Sequence, residues 1–133
     1  MPPSSSANAP HIIFRIQFES EGRIGRGKMQ LLGLIRETGS ISAAGRAMDM
    51  SYRRAWLLVD EMNRLFRLPV VESQRGGKQG GGAVVTAFGE TLLARYMAIE
   101  ERMHAVFADD LDWIAAQRAD AAAEVPPTPA PRS

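Results

Sequence analysis

The chain has 133 residues with 45% hydrophobic and 23% charged, enough for one globular domain. It has no cysteine, which excludes a disulfide scaffold and a thiolate metal site, and its apolar runs are too short for a membrane span. The net charge of +1 conceals an asymmetry: residues 1–86 carry 12 Lys/Arg against 7 Asp/Glu, and residues 87–133 carry 4 against 8, a balance suited to a protein that presents one end to phosphates.

Residues 1–10 are rich in Pro, Ser and Ala, and are expected to be disordered. The start shows no secretory pattern, so a cytoplasmic location is expected. His11–Phe18 is rich in β-branched and aromatic residues and is predicted as a strand. Gly22, Gly25 and Gly27 predict a loose stretch after it. A helix is expected over 28–38 with Leu31, Leu32 and Ile35 inward, and Gly39 fits the position just past its end.

Ser40 or Ser42 can cap a second helix over about 42–48. Its Ala43, Ala44, Gly45 and Ala47 are small enough to let another helix cross closely. Asp49-Met50 makes a turn, and Ser51 caps a third helix over about 51–66. Ala55, Leu58, Val59, Met62 and Phe66 form its buried face. Two helices joined by a tight turn, with Ser51, Tyr52, Arg53 and Arg54 in the first turn of the second, have the pattern of a helix-turn-helix. Arginine pairs bidentately with guanine, and hydroxyls serve phosphates or bases. The alternative is a solvated polar helix start. Trp56 lies one residue off the apolar face and is expected to be half-buried, with apolar contact to DNA as its other reading.

Pro69 ends the third helix. Two short strands are predicted at 70–73 and 83–86, with Gln74–Gly82 between them. A glycine-rich loop joining two strands after a helix-turn-helix has the layout of a wing, in which Arg75 and Lys78 would meet the DNA backbone or minor groove. The other readings are a plain hairpin loop and a nucleotide phosphate loop. The last lacks its pattern, because Gly77-Lys78 is followed by Gln79 and position 72 is Glu. One long helix is predicted over about 87–116 with two apolar stripes. Leu92, Tyr96, Ile99, Met103 and Val106 form one; Leu93, Met97, Phe107, Leu111 and Ile114 form the other, interrupted by His104. Two apolar sides predict a partner helix, hence a homodimer; the other reading is a helix fully enclosed by its own domain. An Ala/Pro-rich stretch, 119–133, is expected to be disordered.

Catalysis has little support. His11 and His104 fall on separate elements, Glu100 and His104 make only two ligands, and Asp109, Asp110 and Asp112 read as a solvated helix end. No enzyme activity, cofactor or metal is expected.

The segments Gly39–Ala44, Met50–Asn63, Val71-Glu72 and Gly76–Gly89, with their Ser-Tyr-x-x-Ala-Trp and Gly-Gly-Lys-x-Gly-Gly-Gly patterns, resemble the N-terminal DNA-binding domain of the ModE family. These are bacterial molybdate-responsive regulators with a winged helix-turn-helix related to that of LysR-type regulators. The resemblance covers about residues 20–115. It implies a mainly α fold with small β elements: a winged helix-turn-helix plus a long C-terminal dimerisation helix, over residues 11–118. It also implies a homodimer on double-stranded DNA. By carry-over, the reading head is Ser51, Tyr52, Arg53 and Arg54, and the wing is Arg75, Gly76, Gly77 and Lys78. Ser42 joins them as a candidate DNA contact. Leu92, Leu93, Tyr96, Met97, Ile99, Met103, Val106 and Phe107 are the candidate dimer residues. In the family, molybdate binds C-terminal β-barrels, and this sequence passes into its Pro/Ala stretch about where they would begin. The expectation is a transcription regulator that does not bind molybdate directly. Alternatives are a protein-interaction module whose sensing comes from a partner, and a small oxyanion-binding protein.

Overall fold

The structure, a computed structural model, describes residues 9–74 and 82–119. Two compact units divide the chain, one over Ile13–Ala98 and one formed by residues up to Ile12 and from Ile99 onward.

The Ile13–Ala98 unit opens with a hairpin of β1 (Arg15–Phe18) and β2 (Gly22–Gly25). The strand predicted over 11–18 is thus shorter, although inward-outward alternation already begins at His11. β2 occupies the stretch expected to be loose. It forms because Ile24 pairs across from Ile16 and is buried, an inward cross-strand pair that offsets the glycines at either end. Gly22 takes φ 144, which a side chain would resist.

Helix α1 (Arg26–Thr38) supplies the centre of the core: Leu31, Leu32 and Ile35 are fully buried. It ends as expected, with Gly39 left-handed at φ 72 and its N–H on the Ile35 carbonyl. Helix α2 (Ile41–Ala47) is capped by Ser40, not Ser42; the Ser40 hydroxyl oxygen accepts from the Ala43 N–H at 3.0 Å. Asp49 turns the chain at φ 60, and the Met50 N–H returns to the Gly45 carbonyl. Helix α3 (Tyr52–Leu65) starts at Ser51, whose hydroxyl oxygen accepts from the Arg54 N–H at 3.1 Å. A Cβ at Gly45 would stand 2.9 Å from the Ala55 Cβ. This is the close crossing that the small residues of α2 predict.

Strands β3 (Val71–Gln74) and β4 (Gly82–Val85) pair antiparallel, Val71 opposite Val85, both buried. The Ala83 N–H donates to the Gly39 carbonyl, anchoring this ribbon to the α1–α2 turn. Thr86, predicted as strand, instead starts helix α4 (Ala87–Val106). Its Oγ1 accepts from the Gly89 N–H and donates to the Pro69 carbonyl, and its N–H donates to the Val70 carbonyl. Gly89 makes this junction possible: a Cβ there would collide with the Val70 carbonyl oxygen and stand 2.8 Å from Val85 Cγ1.

The predicted single helix over 87–116 is divided. Helix α5 spans Ala108–Ala116, and Phe107 between the two leaves helical geometry at φ −103, ψ 19. Asp109 and Asp110 lie in the first turn of α5, where carboxylates favour a helix start. In this second unit the His104 ring lies between two backbone groups: Nε2 accepts from the Ile12 N–H at 3.0 Å, and Nδ1 lies 2.9 Å from the Glu100 carbonyl oxygen. The Glu100–His104 spacing therefore serves a ring-to-carbonyl contact. The fold is mainly α with two small antiparallel sheets, a winged helix-turn-helix.

Candidate nucleic-acid interface

At about 100° per residue, the α3 sequence divides the helix into sectors. Ala55, Val59 and Met62 face the core and are buried. Arg53, Leu57 and Arg64 fall opposite them and are exposed. Tyr52, Trp56 and Asn63 lie on one flank; Arg54, Leu58 and Glu61 lie on the other.

Each flank meets a different β ribbon. Asn63 clamps β3: its Oδ1 accepts from the Val70 N–H at 2.7 Å and the Val71 N–H at 3.2 Å, and its Nδ2 donates to the Val71 carbonyl at 3.1 Å. The opposite flank lines a groove of about 620 Å³ shared with the β1–β2 hairpin and the start of α1, where Arg54, Leu58, Glu61, Arg23 and Lys28 converge. Lys28 Nζ spans that groove, 3.2 Å from Glu61 Oε1 and 2.9 Å from the Arg23 carbonyl oxygen.

The predicted reading-head residues Ser51, Tyr52, Arg53 and Arg54 are all exposed at the start of α3. Their two arginines differ. Arg53 stands on the outward sector and Arg54 on the hairpin flank, a distinction that adjacent positions in a sequence conceal. Neither guanidinium forms an ion pair among the described residues, whereas Arg64 is held by Asp60 at 2.7 Å. Ser42 is half-buried on α2, and its hydroxyl oxygen accepts from Arg46 at 3.0 Å. Arg75, Gly76, Gly77 and Lys78 lie outside the described residues; the strand pair Gln74 and Gly82 flanks them.

Trp56 is partly buried, as expected, with 38% of its surface exposed, and lies edge-on to Tyr52, ring centroids 6.3 Å apart. The one-residue offset rotates it well off the core face. Leu93 and Tyr96, placed among the dimer residues, belong instead to the domain's own core. They lie three residues apart, so they share one face. Tyr96 stacks on Phe14 at 4.5 Å and donates its hydroxyl to the Phe14 carbonyl. Leu92, Ile99 and Met103 are partly buried, while Met97, Val106 and Phe107 are exposed. Trp113, left out of both stripes, is 66% exposed.

Among the described residues no helix is long and apolar enough to cross a membrane. No family model matches the chain. It is 53% identical over 78 residues to the molybdenum-pterin-binding protein MopB of Rhodobacter capsulatus, covering 59% of this chain and 29% of that protein. It is 32% identical over 96 residues to the transcriptional regulator ModE of Haemophilus influenzae, covering 72% and 38%. It is 38% identical over 86 residues to the DNA-binding transcriptional dual regulator ModE of Escherichia coli, covering 62% and 33%. The chain thus spans about a third of the length of these relatives. The matched region of this chain is similar to ModE and Mop molybdenum-related proteins and has the character of a ModE-type N-terminal domain.

Proposed function

We propose that the protein is a sequence-specific DNA-binding transcription regulator acting as a homodimer, with α3 in the major groove and the β3–β4 ribbon as its wing. The observation that carries this reading is the outward start of α3, with Ser51, Tyr52, Arg53 and Arg54 exposed on a domain of the ModE type. Arg53, on the outward sector, is the base-reading arginine, bidentate to guanine. Arg54, on the hairpin flank, meets phosphate, as do Arg75 and Lys78 of the wing. Exposed Val106, Phe107 and Trp113, all in the unit from Ile99 onward, support a partner surface filled by a second copy. Two reading heads would then sit about 34–36 Å apart, or a multiple of that.

Selection of bound duplexes from a random pool, with and without molybdate, tests this directly. The expected product is a two-fold-related site. Arg53→Ala should cost about 1–3 kcal/mol and relax one base position, while Lys78→Ala should weaken all sequences evenly and reduce the salt slope. A pool that stays unenriched at low salt would remove the reading. The name of the Mop relatives favours a second one, direct binding of a molybdenum compound. Calorimetric titration of the same protein with molybdate, tungstate and sulfate decides between them, and the regulator reading expects no heat of binding.

A further inference from the structure

We infer that the exposed side of α3, from the Tyr52–Trp56 flank to Leu57 on the outward sector, reads the 5-methyl groups of thymines next to the guanine taken by Arg53, with Trp56 and Leu57 as the contacting side chains. This rests on the DNA-reading role proposed above. Tyr52 and Trp56 on one flank are 60% and 38% exposed, and Leu57 on the outward sector is 49% exposed, so apolar side chains stand on either side of Arg53. Tyr52 lies edge-on to the indole, at 77° between ring planes, so the ring is supported before any ligand arrives. In the next turn the outward cation, Arg64, is engaged by Asp60 at 2.7 Å. That leaves Arg53 as the base-reading cation of this face, with apolar side chains beside it.

A major groove presents few partners for such a surface. Its base edges are donors and acceptors except for one apolar group, the thymine methyl. A protein ligand is the less suitable occupant, because Arg53 and Arg54 are exposed at the same helix start and protein-docking cores are depleted in charge, whereas both arginines suit the phosphates beside a groove. Leu57 follows Arg53 by one turn, about 6 Å along the helix axis. The thymine therefore lies within about two base pairs of the guanine.

Replacing each thymidine of a selected duplex by deoxyuridine removes one methyl and leaves pairing intact. One or two positions in each half-site should lose about fourfold in affinity, the equivalent of one buried methyl at about 0.8 kcal/mol. In Trp56→Ala or Leu57→Ala the same replacement should cost nothing at that position. Indifference of the wild-type protein to deoxyuridine at every position overturns the inference. So does a penalty that persists in both variants, or unchanged duplex affinity in both, as expected of a face that docks protein. Failure to select any duplex would sink the regulator reading together with this one, a result distinct from tight binding that ignores the methyl.

Discussion

Helices α1 and α5 use apolar residues in opposite ways. α1 buries Met29, Leu31, Leu32 and Ile35. α5, the more apolar of the two in composition, buries none of its residues and leaves Trp113 and Ile114 66% and 50% exposed. Composition alone therefore does not separate a stability element from an interaction element. The difference comes from what each helix has to pack against. α1 is covered by α2, α3 and both β ribbons, whereas α5 offers its apolar side chains outward. Substitutions around the α1 core should act on unfolding, and substitutions on α5 on association.

The largest effect on that core is expected at Gly89. A methyl there meets the Val70 carbonyl oxygen and Val85 Cγ1, a backbone group and a buried side chain with little room to move. Gly89→Ala should lower unfolding free energy by about 3 kcal/mol, the upper part of the usual range for overpacking. Urea denaturation measures it. An unchanged midpoint would mean that the β4–α4 junction yields, and the contrast between a tight core and an unfilled α5 would weaken.

Asn63 comes next. Its amide meets two N–H groups and one carbonyl at the α3–β3 turn. Asn63→Ala leaves partly buried backbone groups without that partner, which costs about 2 kcal/mol. Because the same clamp holds β3, part of the proposed wing, beside α3, duplex affinity should fall even where the protein remains folded. Denaturation and duplex titration on one sample separate the two consequences.

Much of this architecture was legible in the residues. Helices α1 to α3 carry both periodicity and end signals: Gly39 is left-handed, Ser51 caps α3, and Gly45 sits under Ala55. These are local rules, and they read correctly. What escaped depended on partners distant in sequence. β2 has two glycines among four residues and exists through its pairing with β1. Thr86 reads as strand by type but acts as a cap through Pro69 and Val70. Leu93 and Tyr96 fell into different stripes because α4 is apolar around much of its circumference, so periodicity could not say which side the domain covers. At the candidate site, the head residues were legible as a cluster. The division of Arg53 from Arg54 was not, since it depends on the hairpin opposite Arg54.

A smaller effect on the core is expected at Ser51. Ser51→Ala removes an acceptor for the Arg54 N–H and should cost about 1 kcal/mol. The loss falls at the first turn of α3, so it should reduce duplex affinity more than its effect on unfolding alone. Ser51→Asp keeps an acceptor and should restore most of the stability. It also sets a negative charge beside Arg53 and Arg54, so duplex affinity should remain low. Recovery of both properties would show that the cap, and not the hydroxyl's own contact, is what binding needs.

The smallest effect on folding is expected on α5. Trp113→Ser removes a large side chain that is 66% exposed and makes no ring contact among the described residues. Unfolding of the dilute monomer should therefore change by less than about 0.5 kcal/mol. Association in the proposed homodimer should respond more strongly, because an exposed tryptophan on the proposed partner surface is the kind of residue that carries binding energy. Sedimentation equilibrium across a concentration series should show the dimer weakened by about tenfold or more, equivalent to at least about 1.4 kcal/mol. The opposite result, a destabilised monomer with an unchanged dimer, would make Trp113 a folding residue and place the second copy elsewhere. Since unfolding of a dimer is itself concentration-dependent, the two effects separate only when stability is measured at several protein concentrations.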